Sequence, residues 1–263
     1  IQHPDFDGND CHHTNYLSTL QKGKAAWWMM ARIRGWQPNA QSLNIKAYLQ
    51  GSYTPSGMMT TLNSQGLLPL SQPFNFPPIN YNGTESVSSI PNTNVVDWIL
   101  IELRDAADAQ SATGNTVVER KAAFILNNGQ IVDLDGTSFV PFTQTINQQL
   151  FLVLRHRSHL GIMSSFPLSA NNNIYQYDFT SGIGKAFGGV NSQKQLNPGI
   201  WGMIGGDGYL DGVINNVDKT LIWKPDSGEK GYNPGDFNLN GNINNQDKNL
   251  LWITNFGKVS YIP

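Results

Sequence analysis

Cysteine is nearly missing. Cys11 is the only one in 263 residues, so no disulfide can close within the chain, and a secreted form needs another kind of staple. Long apolar runs are missing too. Nothing approaches the roughly 20 residues that a membrane-spanning helix needs. No signal peptide opens the chain, which begins at Ile1 without a methionine and so reads as a processed or excised piece of something longer. Charge is scarce: 17 Lys and Arg stand against 19 Asp and Glu, and charged residues make up 14% of the chain. That balance provides no electrostatic basis for a nucleic-acid or anionic-membrane partner. Polarity comes instead from Asn, Gln, Ser, Thr and Gly, a usage common in extracellular β-proteins. The hydrophobic share of 39% is enough to bury one large core or two modest ones.

Three textures follow one another along the chain. Residues 15–36, "NYLSTLQKGKAAWWMMARIRGW", place Tyr16, Leu17, Leu20, Trp27, Trp28, Ala31 and Ile33 at spacings that predict one helix, opened by Thr14 or Asn15 and closed near Gly35. Its apolar residues lie on more than one side, which predicts packing between two surfaces or against a partner. From about 38 to 190, short runs rich in Val, Ile, Leu, Phe and Tyr predict strands, among them "NIKAYLQG", "NVVDWILIELRD" and "QQLFLVLRHRSHLGIMS". Asn128-Gly129 between "AAFIL" and "IVDL" is a two-residue hairpin signal, and Asp135-Gly136 closes the next edge. Strands at this spacing predict a β-sandwich, with the connector at 69–94 as an ordered surface excursion or a binding loop.

The third texture is a repeat. "GDGYLDGVINNVDKTLIW" at 206–223 returns as "GDFNLNGNINNQDKNLLW" at 235–252, each residue 29 positions after its counterpart. An EF-hand-type calcium loop takes oxygen ligands from positions 1, 3, 5, 7, 9 and 12, with Gly at 6 and an apolar residue at 8. The second copy fills every slot: Asp236, Asn238, Asn240, Gly241, the carbonyl of Asn242, Ile243, Asn244 and Asp247. The first offers Asp207, Asp211, Gly212, the carbonyl of Val213, Ile214, Asn215 and Asp218, with Tyr209 as the departure at position 3. Hard oxygen donors on a short loop select calcium over magnesium or softer metals, so two calcium ions are expected. A helical stretch follows each loop, its Asp in the first turn where the helix dipole favours an anion.

These paired loop-plus-helix units resemble dockerin modules, over about 50 residues. The resemblance implies duplicated calcium loops around one small core, and a cohesin-like partner. In dockerins, loop positions 10 and 11 carry recognition residues. Here they are Asn216–Val217 and Asn245–Gln246, which differ from the familiar Ser/Thr pairs. Residues 40 to 263 also resemble, through "VVDWILIELRDAADA", "AAFILNNGQIV", "LFLVLRHRSHLGIMS", "YDFTSGIGKAFGG" and "GIWGMIGGDG", an uncharacterised C-terminal module of large secreted bacterial surface proteins. That likeness implies an extracellular location and no particular activity.

One catalytic pattern calls for comment. In "NDCHHTNYLSTLQKGKAAWWMMARIRGW", Asp10 and His13 have the Asp-x-x-His spacing that resembles the block ahead of the last helix in SGNH (GDSL-type) esterases, where His is the base and Asp orients it. No Gly-Asp-Ser nucleophile block occurs in the chain. Three readings of Asp10 and His13 stand: a remnant of an upstream esterase domain, a polar loop capping the helix, or a metal site with Cys11 or His12. In "RHRSH", strand alternation places Arg155, Arg157 and His159 on one face and His156 on the other, which argues against a two-histidine metal site and for pairing with Asp97, Glu102, Arg104 or Asp105.

Together these readings predict a mainly β chain in three parts: a loop and helix over 1–37, a β-sandwich over 38–194, and a dockerin-like calcium module over 195–263. The function they predict is non-catalytic: an extracellular, calcium-stabilised structural or adhesive module, such as a surface, matrix or filament subunit that binds itself or another surface protein. The alternatives are the C-terminal part of a secreted SGNH-type carbohydrate esterase, or a carbohydrate-binding module with a polysaccharide partner.

Overall fold

Strand Val95–Ala106 is buried along all twelve of its residues, which explains why its apolar residues do not alternate and why its charged ones, Asp97, Glu102, Arg104 and Asp105, are buried with it. A strand covered on both faces has no solvent side on which to place polar residues. The computed structural model of the chain describes residues 16–33 and 41–263. Two units divide it, Ile1–Ala40 and Gln41–Pro263. In the first, the expected helix is present as α1, Tyr16–Ile33. It carries Trp27, Met29, Met30 and Ile33 exposed.

The second unit is mainly β. Its strands are β1 (Gln41–Lys46), β2 (Tyr53–Thr54), β3 (Gly57–Met58), β4 (Val95–Ala106), β5 (Val117–Leu126), β6 (Gln130–Val132), β7 (Val140–Phe142), β8 (Gln149–His156), β9 (His159–Met163), β10 (Ser169–Asn171), β11 (Ile174–Asp178), β12 (Lys194–Asn197) and β13 (Ile200–Gly202). Nine of them form one curled sheet, ordered β10-β11-β1-β6-β5-β4-β8-β9, with β7 beside β1. Pairing is antiparallel except between β1 and β11, where Ile45 lies opposite Tyr177 in a parallel register. β2–β3 and β12–β13 are separate ribbons.

The connector at 69–94 is ordered and lies on the sheet. Its two arms exchange backbone bonds, Gln72 N–H to the Glu85 carbonyl and Val87 N–H to the Leu70 carbonyl. It also supplies the Pro69 carbonyl to the indole N–H of Trp98, 2.8 Å away. Trp98 in turn packs on Phe124 at 4.2 Å between ring centres, and both are fully buried. Side chains of this size each contribute about 1.5–3 kcal/mol through removal from water.

Two local expectations are corrected. The β5–β6 hairpin turns through three residues, Asn127 to Gly129, because Ile125 pairs with Ile131 and Gly129 takes the left-handed conformation, φ +85°. That is the geometry of a turn followed by a bulge. The strand through "RHRSH" does not continue. It turns at Arg157 and Ser158, so His156 lies directly opposite His159 and alternation no longer separates them.

The repeat region packs onto the sheet within this same unit. The boundary read at 194/195 falls inside β12, while the one at 37/38 lies outside the described residues. Gly51 sits on the seam at φ +92°, where a Cβ would meet Leu251 Cδ1 at 2.7 Å, the Asn238 Cα at 2.8 Å and the Phe237 carbonyl at 3.0 Å. A Gly51→Ala variant is therefore expected to lose about 2–4 kcal/mol, from left-handed strain and overpacking together. Urea unfolding would measure it, and an unchanged midpoint would show that the seam is not tightly packed.

Candidate metal centre

The two loops, 207–218 and 236–247, repeat one hydrogen-bond scheme. At position 12, Asp218 accepts from the amides of Tyr209 (3.0 Å) and Asn215 (2.8 Å). Asp247 accepts from the matching amides of Asn238 (3.1 Å) and Asn244 (2.9 Å). At position 1, Asp207 accepts from Gly212 and Asp236 from Gly241. Both glycines are left-handed, at φ +83° and +78°, and so are Leu210 and Leu239 at position 4, at +62° and +61°. Two non-glycine residues sharing an uncommon conformation 29 positions apart show that the repeat is one of backbone shape as well as of sequence.

The units also clasp each other reciprocally. The indole N–H of Trp223 donates to the Asn244 carbonyl of the other loop at 2.9 Å, and that of Trp252 to the Asn215 carbonyl at 2.7 Å. Lys219 lies 4.9 Å over the Trp252 ring and Lys248 lies 4.8 Å over Trp223. Ile214 and Ile243, fully buried at position 8, donate their amides to the Lys258 and Glu229 carbonyls, again 29 positions apart. The stretches after the loops, Asp218–Trp223 and Asp247–Trp252, are π-helical turns.

The electrostatics are unusual for a protein with so few charges. Asp207 is 2% exposed, and Asp218, Asp236 and Asp247 are fully buried. Burial, reinforced by the neighbouring Asp218 and Asp211 charges, pushes the Asp207 carboxyl up to about 8. Burial pushes Asp236 up to about 6, with Arg157 opposing it, and raises Asp218 and Asp247 as well. Asp207 Oδ1 is buried with no hydrogen-bond partner. Buried carboxylates in this state call for a cation. The donor set, part carboxylate and part amide and carbonyl oxygen, suits a hard divalent ion. Among the described residues no group of three or more His, Cys, Asp and Glu side chains gathers into a metal cluster, so any such ion would depend on the Asn and carbonyl oxygens as well.

Tyr209, the departure at position 3, turns its side chain elsewhere. It is 43% exposed and lines an apolar cleft of about 390 Å³ with Phe76, Ile222 and Tyr232. Asn238, its counterpart, keeps its side-chain oxygen in the loop, accepting from the Asn240 amide at 3.1 Å. Asn216, Asn245 and Gln246 are exposed. Asp10 and His13, with Cys11 and His12, lie outside the described residues.

A charged group invisible in the loop sequence borders the second loop. Arg157 is 4% exposed, its Nε is 3.0 Å from Asp97 Oδ2, its Nη1 donates to the Asn233 carbonyl, and its Nη2 lies 3.9 Å from Asp236 Oδ2. Its guanidinium stacks 4.1 Å over Tyr232. Asp97 is the hub of this cluster, with His156 Nε2 at 3.2 Å and the Tyr232 hydroxyl donating at 2.6 Å. Burial alone would raise Asp97, but the Arg157 charge and these hydrogen bonds outweigh it and hold the carboxyl at about 2. His159 donates from Nε2 to the Gln50 carbonyl at 2.8 Å, and its Nδ1 lies 3.0 Å from His156 Nδ1. Burial pushes both imidazoles below their ordinary range, His159 furthest. The expected pairing of this segment with Asp97 is thus present, whereas Glu102 pairs with Arg104 and Arg120 instead, and the separation of the histidines is not found. Nothing in "RHRSH" alone signals the turn that joins them.

Fold and site together define a mainly β protein with a duplicated, acid-bearing loop pair packed onto its sheet. No family model matches the chain, and no curated protein matches it either. Among solved structures, a chain of a type II cohesin–X-dockerin complex from Acetivibrio cellulolyticus, an N-terminal interface mutant, is similar over 84% of this chain and 95% of that one, at 13% identity and a TM-score of 0.37. Among the described residues no helix is long and apolar enough to cross a membrane.

Proposed function

We propose that the chain is a non-catalytic, extracellular structural or adhesive module whose dockerin-like loop pair holds two calcium ions and whose exposed apolar surface binds a second copy or another surface protein. The carrying observation is the set of four buried loop carboxylates, with Asp207 Oδ1 unpartnered. Asp207, Asp211, the Val213 carbonyl, Asn215 and Asp218 would hold one ion. Asp236, Asn238, Asn240, the Asn242 carbonyl, Asn244 and Asp247 would hold the other. Each ion supplies the positive charge that its loop lacks, and so stabilises the folded state in place of disulfides.

The apolar surface is that of the repeat. Leu221 and Leu250, at equivalent positions, are 59% and 62% exposed, with Ile253 and Phe256 beside the second of them in sequence. Polysaccharide binding is a second reading, favoured by the aromatic cleft of Phe76, Tyr209 and Tyr232, since exposed rings can stack on sugars. Mass per particle, measured by light scattering in calcium and then in excess chelator, separates the two. The expected result is an ordered assembly that comes apart as calcium leaves. A calcium-indifferent monomer retained on a polysaccharide column would replace the first reading with the second.

A further inference from the structure

The two loops look alike in backbone but not in charge. The first offers three carboxylates, Asp207, Asp211 and Asp218, and among the described residues no basic side chain pairs with Asp207 at ion-pair distance. Arg155, half-buried on β8, feels the Glu102 carboxylate more strongly than Asp207. The second loop offers two carboxylates, Asp236 and Asp247, and faces Arg157 at 3.9 Å. That guanidinium cannot swing away: Asp97, the Asn233 carbonyl and the Tyr232 ring fix it in place.

Resting on the calcium reading above, we propose that the loops load in sequence, the first loop tightly and first despite Tyr209, the second more weakly, with Arg157 as the positioning residue that sets the difference. Calcium affinity in loops of this type follows the charge of the ligand set. A fixed positive charge beside a ligand carboxylate opposes a divalent ion and compensates the empty loop. Arg157 also carries the consequence inward, because it is shared between Asp236 and the Asp97 cluster of the sheet. Filling the second loop removes Asp236 as a partner and leaves Arg157 to Asp97.

Calorimetric titration of the full, calcium-stripped chain with calcium chloride tests the order. The wild type is expected to show two events separated by about tenfold or more in affinity. Asp207→Asn should abolish the tighter event and Asp236→Asn the weaker. Arg157→Gln should tighten the weaker event by about tenfold and leave the tighter one unchanged. Because that change strands Asp97, the charge-balanced double variant Asp97→Asn/Arg157→Gln is titrated beside it and should show the same tightening. Loss of the tighter event in Asp236→Asn, or a weaker event unmoved in the double variant, overturns the proposal while leaving calcium binding intact. A wild-type titration with no binding at all removes the calcium reading and this inference together.

Discussion

In excess chelator the protein is expected to melt roughly 13–27 °C below its melting temperature in millimolar calcium, both loops contributing. A ligand that binds only the folded state adds about 4 kcal/mol when present a thousandfold above its dissociation constant, and about 2.7 kcal/mol at a hundredfold. For a unit of this size each kcal/mol shifts the midpoint by about 2–4 °C. The effect is large because the ion relieves a strain already present, namely four buried carboxylates with one nearby guanidinium among the described residues. The pH dependence should invert between the two conditions. Without calcium, Asp207 at about 8 and Asp236 at about 6 lie above their ordinary value of 3.8. Between that value and the folded one the folded chain binds the extra protons. Stability is therefore greatest on the acid side and is lost as pH rises through about 6 and then 8. With calcium, the proton competes with the metal for the same oxygens, and acid weakens the fold. Melting curves at pH 5.5 and pH 8, each with calcium and with chelator, would show the crossing. Four superimposed curves would mean that the loops are turns and nothing more.

The parts of this molecule that could be read in advance are those whose cause is local. The 29-residue offset showed two loops because ligand spacing, the position-6 glycines and the position-8 isoleucines are all set within twelve residues. The helix over 15–36 is present as Tyr16–Ile33, and "NVVDWILIELRD" is β4, since each carries its own periodicity or length. What could not be read is what depends on distant partners. The parallel pairing of β1 with β11 joins Ser42 to Ile174, and no turn residue between them encodes it. His156 and His159 meet because the chain turns at Arg157 and Ser158, and that turn lacks the Gly, Asn or Asp that usually marks one. Tyr209 reads as a defect in a ligand list, yet it lines a cleft shared with Phe76 from the connector and Tyr232 from the segment between the two copies of the repeat. Arg157 is the clearest case. Its sequence neighbours place it on a strand end, whereas its role comes from Asp97, 60 residues before it, and Asp236 after it.

Replacing Asp97 by alanine is expected to cost about 3–5 kcal/mol, the range for stranding a buried charge, and so to lower the melting temperature by roughly 6–20 °C. Asp97 is fully buried. It accepts from Arg157 Nε at 3.0 Å and from the Tyr232 hydroxyl at 2.6 Å, and it holds the Trp98 amide at 2.7 Å. Without it Arg157 keeps the Asn233 carbonyl and the more distant Asp236, neither of which replaces a bonded carboxylate. The less buried comparison is the Lys121–Asp133 pair, 3.3 Å apart and 23% exposed on each side, where Asp133→Ala should cost less, on the order of 1 kcal/mol. The decisive variant is Asp97→Leu/Arg157→Met, which removes both charges. If the penalty of Asp97→Ala is that of an abandoned cation, the double variant should recover a large part of it, because an apolar pair of similar volume is often as stable as a buried ion pair. Urea unfolding at neutral pH measures all three, and equal losses in the single and double variants would show that shape, and not charge, holds this centre. Acid provides an independent check. The depressed carboxyl, at about 2, contributes stability that is complete above its ordinary value of 3.8 and fades as pH falls from there through about 2. The acid limb of the unfolding curve should therefore flatten in the double variant.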